Sequence, residues 1–134
     1  MGTGDTQAGK EKSVAGVAAE TIAISFPGVS IQPHFEKKSF RAGKKIFATL
    51  DEAKHVACLK LSVEEQDVFC AYDKNIIYPV PNKWGKQGWT LINLQAVPEA
   101  MLSDALRTAY CSVAPPKLAA LVLANSRHNE ADLL

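Results

Sequence analysis

Seven basic residues fall in two short segments of the sequence, and two tryptophans accompany the second segment. Between His34 and Leu50 there are five lysine or arginine residues against one acidic residue, Glu36. The second segment, between Pro81 and Trp89, adds two lysines. Cationic side chains contact backbone phosphates, and aromatic rings stack on unpaired bases. The candidate nucleic-acid-binding residues are therefore Lys37, Lys38, Arg41, Lys44, Lys45, Lys83, Trp84, Lys86 and Trp89.

The stretch Trp84–Trp89, with the sequence WGKQGW, is the most distinctive in the chain. Its two glycines indicate positive φ angles or a close backbone approach, and two tryptophans are a large amount of aromatic surface for a loop. The rings either pack against the sheet and hold the loop in place, or they form a recognition surface. The leading hypothesis is that such a surface serves a nucleic acid, in a non-enzymatic DNA-binding domain. The first alternative is a protein-interaction module, in which the tryptophan stretch is a hot spot for another polypeptide.

A pocket for a small ligand is a third possibility. Its candidate lining residues are His34 and Tyr78, together with Trp84. Sensitivity to salt would favour the nucleic acid, because phosphate contacts release counterions. A concave pocket beneath the tryptophan stretch would favour the small ligand.

The sequence contains no recognisable catalytic or metal-binding pattern. The three histidines lack ligand spacing, and there is no phosphate-binding glycine loop, nucleophile elbow or HExxH motif. Glu64 and Glu65 are better explained by helix capping than by paired carboxylate catalysis. Cys58, Cys70 and Cys111 lie among apolar residues without a CxxC pair, which is typical of small reduced thiols. We expect a protein that is not an enzyme and that uses no cofactor or metal.

Length and composition fit one small domain. The chain has 134 residues, a net charge of +1 and 22% charged residues, so a basic surface would have to be a local patch. No apolar run approaches the roughly 20 residues of a membrane helix, and no secretory pattern is visible, so we expect a cytoplasmic protein without membrane contact. We expect a disordered tail over 1–12, a single domain over 13–124 and a polar C-terminal tail over 125–134.

Hydrophobic periodicity predicts the elements that must position these residues. A spacing of three to four predicts helices over 13–26, 63–72, 98–113 and 117–124, and alternation predicts strands over 30–35, 37–41, 45–50, 55–61, 76–80 and 88–94. The short connections force antiparallel pairing. The order α-β-β-β-β-α-β-β-α predicts an α+β fold, a two-layer sandwich in which an antiparallel sheet of about six strands carries helices on one face.

Two further predictions concern the side chains that face the core. Strict alternation along the third strand places Ile46 and Ala48 on one face and Phe47 and Thr49 on the other. The second helix begins with a capping box at Ser62. Its residues predicted to be buried are Val68, Phe69 and Tyr72.

A series of short motifs makes the chain resemble the MmcQ/YjbR family from about Phe26 to Lys117. Their order and spacing together are specific, although each is weak alone. They are 27–29 (PGV), 33–35 (PHF), 39–41 (SFR), 43–50 (GKKIFATL), 59–61 (LKL), 64–66 (EEQ), 78–81 (YPVP), 84–90 (WGKQGWT) and 114–117 (APPK).

The resemblance implies a fold similar to that of the frataxin-like CyaY proteins, a sheet with helices on one side. It also implies DNA binding, which has been ascribed to the family by analogy with a double-wing arrangement of hairpins. No catalytic residue is carried over by the resemblance. The iron binding of the frataxin-like relatives does not carry over either, because the first helix has only Glu20 after Glu11 in place of an acidic ridge.

Overall fold

The structure, a computed structural model, describes residues 14–133 of the chain, with side chains over 16–124. The helices are α1 (Val14–Ser25), α2 (Val63–Cys70), α3 (Lys83–Lys86), α4 (Glu99–Val113) and α5 (Pro116–Leu133). The strands are β1 (Val29–His34), β2 (Lys37–Ala42), β3 (Lys45–Asp51), β4 (Val56–Lys60), β5 (Ile77–Pro79) and β6 (Trp89–Asn93). The tail predicted over 1–12 lies outside the described residues, and the backbone over 125–133 continues α5.

The strands form one antiparallel sheet with the order β1-β2-β3-β4-β6-β5. Consecutive strands from β1 to β4 are neighbours because connections this short allow only hairpins. The chain then passes through α2 to the far edge, and β6 returns between β5 and β4. Helix α4 packs on β3 and β4, and α1 packs on α4 and β1. The predicted α+β fold, with its six-stranded antiparallel sheet, is confirmed.

The core lies between this sheet and helices α1 and α4, and Tyr110 is at its centre. The Tyr110 ring is fully buried. Its ring centre lies 4.9 Å from that of Phe26 and, in an edge-on arrangement, 5.5 Å from that of Phe47. Its hydroxyl donates to the Pro27 carbonyl at 2.5 Å, which satisfies the one polar group that burial would otherwise penalise. This contact ties α4 to the turn that follows α1.

A β-bulge in β3 changes the predicted alternation. Phe40 pairs with Ala48 and Arg41 with Ile46, so Phe47 is the extra residue. An inserted residue shifts the alternation by one position. Phe47 and Ala48 are consequently both fully buried, while Ile46 lies on the opposite face. The prediction that Phe47 faces away from Ala48 is therefore wrong.

Helix α2 has the predicted capping box but buries a different side. The Glu65 amide donates to the Ser62 hydroxyl at 3.0 Å, and the Ser62 amide donates to the Glu65 carboxylate at 2.8 Å. The inward residues are Gln66 and Cys70, one turn apart. Of the residues predicted to be buried, Phe69 is partly buried, but Val68 is 72% and Tyr72 49% exposed. The predictions for Val68 and Tyr72 are wrong because polar Gln66 occupies the inner side.

Truncating Phe47 should test the bulge directly. We expect Phe47→Ala to lower the free energy of unfolding by about 3–5 kcal/mol, because it removes a buried ring and leaves a cavity. The matched control, Val68→Ala, should change it by less than about 0.5 kcal/mol, because that side chain is already in solvent. Urea denaturation of both variants measures the difference. Equal losses would contradict the placement of Phe47 in the core.

Candidate functional site

The sheet face opposite the helices carries a row of side chains that lie directly beside one another. In the strand register, Thr49 pairs with Cys58, Cys58 with Leu91, and Leu91 with Tyr78. Directly paired residues share a face, so this row crosses four strands. Each of these side chains is only partly exposed. The row forms the floor of an open groove of about 680 Å³.

The residues predicted for a ligand pocket come together in this groove. His34 lies at the end of β1, Tyr78 on β5, and Trp84 on α3, yet all three line the same depression. Trp89, at the start of β6, lines it as well. A depression therefore lies beside the tryptophan stretch, which is the feature that the small-ligand alternative requires.

The groove is polar at one end and aromatic at the other. Lys37, Asp51 and Lys54 line the end at which β2 begins and β3 finishes. Trp84 and Trp89 line the opposite end. In β4, Val56 pairs with Asp51 at the polar end, and Lys60 pairs with Trp89 at the aromatic end. These two positions are four residues apart. At about 3.3 Å per residue, the two ends are separated by roughly 13 Å.

Two glycines allow the tryptophan stretch to lie very close to the backbone of neighbouring segments. A Cβ atom on Gly85 would lie 1.9 Å from the Val80 carbonyl oxygen. Gly88 has φ +104°, and a Cβ atom there would lie 1.8 Å from the Leu61 carbonyl oxygen. Side-chain atoms never approach backbone so closely, so only glycine lets this stretch lie against the neighbouring strands. The glycines thereby set where the tryptophan rings project into the groove.

The buried side chain of Gln66 holds the same stretch from the α2 side. Its amide nitrogen lies at hydrogen-bond distance from the carbonyls of Gly85 (3.0 Å) and Trp89 (3.2 Å). A third acceptor is the Thr90 hydroxyl, at 3.1 Å. At the start of α3, the Asn82 side chain accepts from the Trp84 amide at 2.8 Å. Gln66 therefore positions the aromatic wall, a role that no local pattern in the sequence indicates.

The basic residues predicted to contact phosphate are distributed over several places. Lys44 and Lys45 lie at the turn between β2 and β3, and Lys83 and Lys86 lie in α3. All four are exposed. Lys37 lies at the opposite end of β2, beside the polar end of the groove.

Lys38 and Arg41 are placed differently from the other cations. The Lys38 ammonium lies 2.7 Å from the Glu20 carboxylate and 2.9 Å from that of Glu52. A phosphate at this position would have to displace two carboxylates, which disfavours Lys38 as a phosphate contact. Arg41 pairs with Ile46 on the groove side and is only partly exposed, and its Nε is buried without a partner.

The cysteines are unpaired, and burial raises the pKa of each thiol. Burial raises the pKa of the Cys58 thiol to about 11, and the neighbouring Lys37 ammonium offsets this only in part. Burial also raises the pKa of Cys70 and of Cys111. Because the thiolate is the reactive form, burial disfavours the reactive form of each of these thiols. Among the described side chains, no three His, Cys, Asp or Glu residues are grouped closely enough to hold a metal ion.

A family model named YjbR matches residues 24–112, which is most of the chain and includes the whole groove floor. The chain belongs to the YjbR family. This confirms the resemblance expected from the short motifs between Phe26 and Lys117. No curated protein matches the chain. Within residues 14–133, the part of the chain that the structure describes, no helix is long and apolar enough to cross a membrane.

The fold of this YjbR protein is similar to that in a crystal structure of the Deinococcus radiodurans protein DR2400, whose domain is designated DUF419. The TM-score is 0.61, and the match covers 69% of this chain and 72% of the other. Sequence identity is 21%, so the comparison supports the architecture of the sheet and helices and carries no information on what either protein binds.

Alanine at Gly88 should be much more destabilising than alanine at Gly43. Both glycines have positive φ, but a Cβ atom on Gly43 would meet nothing closer than 4.0 Å. We expect Gly43→Ala to cost about 1–2 kcal/mol of unfolding free energy from backbone strain alone. Gly88→Ala should cost more and should shift the tryptophan fluorescence, because the Leu61 carbonyl must move. Urea denaturation followed by fluorescence measures both, and equal costs would contradict the close approach at Gly88.

Proposed function

We propose that this YjbR protein is a non-catalytic binding protein whose small organic ligand lies in the groove on the open sheet face. The observation that carries the proposal is the concave, mainly apolar surface between Thr49, Leu91 and the two tryptophans. Its volume of about 680 Å³ is in the range of small-molecule sites, which are mostly apolar with a few placed polar groups. Filling it would remove half-exposed apolar surface from water, which is the main driving force of such binding.

Two observations support a binding role over a catalytic one. The thiol on the groove floor, Cys58, has a pKa of about 11 and is mostly protonated near neutral pH. The Asp51 carboxylate accepts from the Lys54 amide at 3.1 Å, which is a turn contact and not a pairing with a second acid or base. A cytoplasmic location is part of the same proposal, and the three unpaired cysteines support it.

The groove can be tested with an uncharged fluorescent probe, N-phenyl-1-naphthylamine. The chain has two tryptophans, and both line the groove, so energy transfer from tryptophan to the probe reports occupancy of this site. We expect saturable transfer with the unmodified protein. Leu91→Lys should weaken binding at least about tenfold, because it places an ammonium on the apolar floor.

Val68→Lys is the matched control for this experiment. It introduces the same charge at an apolar residue that is 72% exposed and lies outside the groove. Probe affinity should be unchanged in this variant. Transfer that does not saturate, or an equal loss in both variants, would overturn the proposed groove function.

Nucleic-acid binding is a second candidate, and one observation favours it. The connection between β2 and β3 and the connection between β5 and β6 emerge at the same end of the sheet. Lys44 and Lys45 project from the first, and Lys83 and Lys86 from the second. Trp84, which is 49% exposed, lies in the second connection, with the Lys83 ammonium 5.7 Å from its ring centre. Two basic connections at one end of the sheet, one of which carries an exposed aromatic ring, are compatible with phosphate contacts and base stacking, as expected for a DNA-binding domain.

Salt dependence tests this second candidate. If phosphates are contacted, the affinity for labelled duplex DNA should fall with a log–log salt slope of about 0.9 per phosphate neutralised. The double variant Lys44→Ala/Lys45→Ala should reduce that slope by roughly two units. Lys37→Ala, at the other end of β2, serves as the control and should leave it unchanged. Duplex DNA, single-stranded DNA and RNA should each be titrated, and no binding at about 50 mM salt would exclude the nucleic-acid candidate. Neither experiment tests whether the tryptophan stretch binds a partner protein, and that alternative stays a prediction.

A further inference from the structure

We propose that the groove selects an amphipathic organic acid, whose aromatic or aliphatic body lies against the tryptophans and whose anionic group meets Lys37 and Lys54. The inference rests on the proposed groove function and adds the chemical class and the orientation of the ligand. It comes from the uneven distribution of charge and apolar surface along the groove.

At the aromatic end, the ligand would meet ring faces and aliphatic side chains. Trp84 and Trp89 stand at this end, and Tyr78 and Val80 continue the surface along the β5 side. Trp89 is half-buried and Trp84 is 49% exposed, so each ring still presents area that a ligand can cover. Lys60, which pairs with Trp89, does not line the groove, and its ammonium donates to the Gln87 carbonyl at 2.5 Å and to the Leu61 carbonyl at 3.2 Å. The Lys83 ammonium lies 5.7 Å from the centre of the Trp84 ring but does not line the groove either, so the groove surface at this end is mainly apolar.

At the polar end, positive charge is in excess. Lys37 and Lys54 are both exposed and both line the groove, against one acidic residue, Asp51. One oxygen of the Asp51 carboxylate already accepts from the Lys54 backbone amide at 3.1 Å. His34 adds a ring that can donate a hydrogen bond to an anion. An anionic group placed here would be matched by nearby cations, whereas a cationic group would meet two ammonium groups.

The position of Lys37 also supports a contact inside the groove. Its ammonium is near enough to the Cys58 thiol to lower the thiol's pKa against the effect of burial. Cys58 lies in the middle of the floor, between Thr49 and Leu91. The charge of Lys37 therefore acts along the floor as well as at the rim.

The separation of the two ends limits the length of the ligand. The ends lie roughly 13 Å apart, as the four-residue step along β4 indicates. A molecule of one or two fused rings with a directly attached acid group can span most of that distance. An uncharged molecule of the same shape would gain only the apolar contacts.

A pair of probes that differ in charge tests the inference. The first is 1-anilinonaphthalene-8-sulfonate, an aromatic anion, and the second is the uncharged N-phenyl-1-naphthylamine, which shares its aromatic body. We expect the anion to bind the unmodified protein more tightly than the uncharged probe. The double variant Lys37→Ala/Lys54→Ala should weaken binding of the anion about tenfold or more, because charge-assisted contacts are lost. Affinity for the uncharged probe should not change.

Two further variants serve as controls. Lys44→Ala/Lys45→Ala removes the same charge from a turn that does not line the groove, and it should leave both probe affinities unchanged. Lys37→Arg/Lys54→Arg retains the charge and should retain most of the affinity for the anion. All substituted side chains are exposed, so urea denaturation should show unchanged stability in each variant.

The outcomes separate this inference from the proposed groove function. Binding of both probes with no loss in Lys37→Ala/Lys54→Ala would overturn the charge preference and leave the groove function standing. An equal loss in both double alanine variants would also overturn it, because the effect would then reflect net charge. If neither probe binds the unmodified protein, the groove function itself fails, and the inference fails with it.

Discussion

Helices α1 and α4 cover one face of this sheet, and that constraint determines which side of most strand residues enters the core. Side chains alternate along a strand, so outside the bulge at Phe47 a residue that enters the core directs its neighbours to the uncovered face. Leu59 and Ile92 are fully buried, and their neighbours Cys58 and Leu91 lie on the open side. An uncovered face of an antiparallel sheet is usually polar. In this YjbR protein it is largely apolar across its central strands, and that departure from the usual pattern creates the groove.

The shape of the groove also depends on one buried polar side chain. Gln66 would be costly to bury without partners, and its amide has three acceptors in the segment that forms the aromatic wall. The same contacts fix the distance between α2 and the start of β6. The capping box at Ser62 holds the first turn of α2, so the position of Gln66 is set from both sides. The wall is therefore part of the folded framework and not an independent loop.

Much of the fold could be predicted because its signals are local. Periodicity, the Pro27-Gly28 break and the Ser62 capping box each act within a few residues. The bulge at Phe47 could not be predicted, since apolar residues occupy both the odd and the even positions of β3. The inward turn of Gln66 could not either, because its acceptors lie 19 to 24 residues away. For the site, the sequence named His34, Tyr78 and the tryptophans, but only the insertion of β6 between β4 and β5 brings them to one groove.

That strand order has a consequence for how the molecule would respond to an occupant. The polar end of the groove is built by β2 and β3, which fold as local hairpins, whereas the aromatic end is built by β5, α3 and β6 from later in the chain. A molecule lying in the groove would contact both parts and would link them non-covalently across the boundary between β4 and β6. Anything that binds only the folded state adds stability through mass action, about 2.7 kcal/mol at a concentration one hundred times its dissociation constant. Occupancy of the groove would therefore be coupled to the cooperativity of unfolding, and the two halves of the sheet would separate less readily than in the free protein.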